Sequence, residues 1–66
     1  MKIETPERKL IQKMIRIGTS EDTMAEVLSV LDTEENCRKM IAEVERLINP
    51  SREVLLFTAF LIAHPE

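Results

Sequence analysis

Three kinds of side chain in this 66-residue chain have the types to do chemistry: one histidine, one cysteine and several clustered carboxylates. His64 stands beside Pro65 with no serine or cysteine close by in sequence, so its imidazole lacks the nucleophile that base-assisted attack requires. At a helix end it interacts favourably with the helix dipole, and that role suffices. Cys37 recurs with Met40, Ile41 and Val44 at helical spacing, which reads as a small buried thiol. A reactive thiolate would need exposure and cationic surroundings, and Arg38 and Lys39 point elsewhere on the same helix. One cysteine closes no internal disulfide, and one histidine plus one cysteine fall short of the four ligands of a structural zinc site.

The carboxylates pair as Glu21–Asp22, Glu34–Glu35 and Glu43–Glu45, none with the Glu-x-x-His spacing that builds a metal site in a helical bundle. Two of the pairs fall in first helical turns, where negative charge meets the positive end of the dipole. A single glycine, Gly18, leaves no glycine-rich phosphate loop. The expectation is a protein with no catalytic residues, no metal, no cofactor and no small-molecule substrate, hence not an enzyme.

The elements that hold these residues follow from composition and period. At 44% hydrophobic and 32% charged, the chain has the balance of a folded domain rather than a disordered one. Sixty-six residues make one domain, 1–66, which buries roughly 60% of its unfolded surface and is marginal without good helix packing or oligomerisation. Helix-favouring residues dominate, and the predicted fold is all-α, a compact bundle of about four short helices at 5–17, 20–31, 33–48 and 51–63.

Thr5-Pro6 opens the first, Leu10, Ile11, Met14, Ile15 and Ile17 form its apolar stripe, and Gly18 closes it. Thr19 or Ser20 caps the second, with Thr19–Asp22 as a near capping box and Met24, Val27, Leu28 and Leu31 facing inward. Asp32, followed by Glu35, signals the third start; its stripe is Cys37, Met40, Ile41, Val44, Leu47 and Ile48, ended by Asn49-Pro50.

Charge is distributed unevenly within a net of −3: residues 1–17 carry five bases against two acids, and residues 18–49 carry eight acids against three bases. These segments are expected to complement each other within the fold or across a dimer; the alternative is a basic strip for phosphate. A helix closed by Gly18, a short turn, then Ser20-Glu21-Asp22-Thr23-Met24 opening a helix with Val27 and Leu28 inside resembles the DNA-binding helix-turn-helix over residues 10–31. That resemblance implies a DNA-binding regulator as the alternative function. Against it, Glu21, Asp22 and Glu26 on the would-be recognition helix repel phosphate, and nucleic acid is not the expected partner.

Residues 54–63 differ in kind, with Thr58 the only polar side chain among ten. A strand is conceivable by propensity, but an otherwise helical chain offers it no partner, and the run is far shorter than the about 20 residues a membrane-spanning helix needs. Three short helices wrap it centrally or leave it at an oligomer interface, and the second is the leading expectation. Val54, Leu56, Phe57, Phe60 and Leu61 are then the interface, in a homodimer or against another protein. The predicted function is a small interaction or regulatory module. Lys2 is followed by no apolar signal core and the thiol is solitary, so the cytoplasm is the expected location.

Overall fold

The computed structural model describes residues 5–65 and is an all-α bundle of four helices, with no strand among the described residues. They are α1 (Pro6–Arg16), α2 (Glu21–Leu31), α3 (Glu34–Arg46) and α4 (Arg52–Ala63). Each begins on a hydroxyl: the side-chain oxygens of Thr5, Ser20, Thr33 and Ser51 accept from the N–H groups of Arg8, Thr23, Asn36 and Val54 at 3.1–3.3 Å. Every helix thereby satisfies one of its unpaired N-terminal donors locally. Gly18, at φ +84°, closes α1: its N–H donates to the Ile15 carbonyl and the Thr19 N–H to that of Met14, the paired bonds of a Schellman motif.

α1 packs chiefly on α3, α2 on α4, and α3 bridges to α4. The core is Leu10 and Met14 of α1, Val27 and Leu31 of α2, Cys37, Met40 and Val44 of α3, and Leu55 and Ala59 of α4. A Cα radius of gyration of 10.9 Å matches the about 11 Å expected of a compact chain of this length.

Several sequence expectations need correction. The third helix starts on Thr33, not on Asp32: Asp32 takes φ 71° as the C-cap of α2, and its N–H donates to the Leu28 carbonyl. Asn36 Nδ2 donates to the Leu31 carbonyl at 2.7 Å and fastens this short turn. Of the two candidates before α2, Ser20 is the cap, and it pairs with Thr23 rather than Thr19 with Asp22. α3 ends at Arg46, two residues before the predicted 48, because Leu47 is already extended. Ile48 therefore falls in the connection and is 88% exposed instead of completing the α3 stripe. Ile15 is 58% exposed and Ile17 also reaches solvent: α1 turns the Leu10–Met14 line inward, Ile15 stands about 100° round the helix from Met14, and Ile17 lies past the last helical residue.

Candidate functional site

α4 is not wrapped. Its inner side is the buried pair Leu55 and Ala59, with Leu56 and Ile62 half-buried against the core. Opposite them Val54, Phe57, Phe60 and Leu61 are 41%, 64%, 53% and 50% exposed. The helix buries small Ala59 and leaves both phenylalanines more than half exposed. Of the five residues the sequence nominates, four stand together on the open face, and Leu56 sits at its edge. A phenylalanine carries about 150–250 Å² of surface, so the two rings alone expose roughly 200 Å².

Two neighbours of that face are not assigned to it from the sequence: Glu53, and His64, which is given a helix-end role alone. Glu53 and His64 are both exposed and continue the Phe57–Phe60 line at either end, a 4-3-4 spacing legible in the sequence itself. The Phe60 and His64 rings lie 4.7 Å apart, centre to centre, tilted by 47°. Beside Glu53, the Arg52 guanidinium donates to the Glu26 carboxylate of α2.

The groups with chemical potential are dispersed. Cys37 is buried, and its thiol is pushed above its usual range by that burial first, then by the negative charges of Glu7 and Glu34, so the thiolate is suppressed. Among the described residues, no three His, Cys, Asp or Glu side chains are grouped to hold a metal ion. A cleft of about 230 Å³ opens where the α1–α2 turn meets the start of α4, lined by Thr19, Thr23, Arg52 and Leu55 among others. It is smaller than the about 300–1,000 Å³ of typical ligand pockets. A groove of about 310 Å³ between α1 and α3 is flanked by Lys9 and Arg38, both exposed.

The segment resembling a helix-turn-helix folds as helix, glycine turn and helix, but α1 packs mainly on α3. The outward side of α2 shows Glu21, Asp22 and Glu26, an acidic face toward any phosphate backbone. Among the described residues, no helix is long and apolar enough to cross a membrane. Compared with protein-family models, curated proteins and solved structures, the chain gives no match in any of the three.

Proposed function

We propose that the protein is a non-enzymatic interaction module that acts as a homodimer paired through the open face of α4. The observation that carries this reading is the exposure of Phe57 and Phe60 on adjacent turns, between Val54 and Leu61. Monomeric domains rarely expose contiguous apolar patches beyond a few hundred Å², and the roughly 200 Å² of the two rings together with Val54 and Leu61 approaches that limit on a very small chain. A chain of this length gains most from covering one, since its own core is small. Two such faces bury less than the about 1,200 Å² of a standard interface, so the dimer belongs to the weak, concentration-dependent class. The buried, solitary thiol fits a reducing compartment, and the cytoplasm is where we expect the module to act.

The test is sedimentation velocity on the wild type, Phe57→Glu and Phe60→Glu from low to high micromolar concentration, with circular dichroism to verify helicity. The wild type should pass from monomer to dimer, and both variants should remain folded monomers. A wild type that stays monomeric at high micromolar concentration overturns the proposal.

A further inference from the structure

We infer that the two copies lay their α4 helices antiparallel, in a register that sets Glu53 of each against the partner's His64 and Phe57 against the partner's Phe60. The inference rests on the self-association proposed above and adds its geometry. Glu53, Phe57, Phe60 and His64 recur at spacings of four, three and four, which aligns them along one edge of a helix. All four are exposed. His64 is the C-cap, one residue beyond the helix, yet its ring rests against Phe60 and so stays on that line.

The line is palindromic in chemistry: a charged or ionisable end, two aromatic rings, an ionisable end. Reversing one copy brings acid opposite imidazole at both ends and ring opposite ring twice in the middle. A two-fold contact supplies each pair a second time without further design. Parallel helices would instead bring Glu53 against Glu53 and His64 against His64, and would align their dipoles unfavourably. Arg52 does not neutralise Glu53 in that role, because it is engaged by Glu26 on the flank toward α2. A carboxylate accepting from an imidazole N–H at each end, with ring against ring between them, thus selects a second copy of this chain, reversed, as the occupant of the face.

Cross-linking in a Cys37→Ala background, which removes the single native thiol, reads the register directly. Glu53→Cys and His64→Cys are prepared as separate proteins, mixed and oxidised, and each is oxidised alone. Both positions are exposed, so the substitutions leave the core untouched. The mixture should give several-fold more covalent dimer than either protein alone. Stronger cross-linking of each variant with itself would overturn the antiparallel register while leaving self-association intact. Absence of any dimer of the wild type in sedimentation would instead remove the association on which the register depends. Charge reversal gives a second reading that involves no thiol. Glu53→Lys should weaken dimerisation several-fold, and adding His64→Glu should restore it. A double variant as weak as Glu53→Lys alone would contradict the pairing.

Discussion

Lys13 on α1 and Glu45 on α3 meet at 2.7 Å, an ion pair that ties the basic first helix to the acidic third. The bond from Lys13 and its positive charge, with a smaller contribution from Lys9, hold the Glu45 carboxyl below its ordinary value. The native state therefore binds a proton at Glu45 less readily than the unfolded chain does. The stability this supplies is complete above the ordinary carboxyl value of 4.5 and fades as the pH falls through the lower native one. Glu45 is exposed, so the effect is modest and salt-screened. Urea midpoints measured from neutral pH downward should fall less steeply for Glu45→Gln than for the wild type, and 1 M salt should shrink the difference. Identical acid limbs would show that the pair contributes nothing.

Ser20 forms a two-way contact: its hydroxyl accepts from the Thr23 N–H at 3.3 Å and donates to Thr23 Oγ1 at 2.9 Å. Thr23 is buried, whereas Thr5 caps α1 at the surface. Loss of a cap costs about 1 kcal/mol, and stripping a partner from a buried hydroxyl adds about 1–3 kcal/mol. Chemical denaturation should show Ser20→Ala more damaging than Thr5→Ala. The Ser20→Ala/Thr23→Val double variant should lose less than the two single losses added together. Strict additivity would mean that the side-chain contact is energetically silent.

The helix ends were legible in the sequence where a single residue type could do the job. Thr5 before Pro6 and Gly18 after Ile17 behave as their chemistry dictates. Asp32 and Thr33 are both good cap formers, and only the geometry of the turn, with Asn36 reaching back to Leu31, assigns the cap to Thr33. α4 posed a different difficulty. A helix apolar on all sides has no polar face to orient it, so the inward position of Leu55 and Ala59 carried no periodic signal. The group Val54, Phe57, Phe60 and Leu61 was visible as surplus apolar surface; that Leu56 turns half away from it was not.

Leu55 and Phe57 lie two residues apart on α4, one buried and one largely in water, and their replacement by alanine should fail in different ways. Leu55→Ala opens a cavity in the core and should cost about 2–5 kcal/mol at every protein concentration. In a domain of this size that lowers Tm by roughly 10 °C or more. Phe57→Ala removes a ring that touches little of its own core, so at low concentration its Tm should stay close to that of the wild type. Dimerisation stabilises the folded state by mass action, so the wild-type Tm should climb as protein concentration rises, and the Phe57→Ala curve should stay flat. Scanning calorimetry over a hundredfold concentration range separates the two behaviours. A Phe57→Ala protein that melts lower than the wild type by the same amount at every concentration would assign the ring to the fold of its own chain.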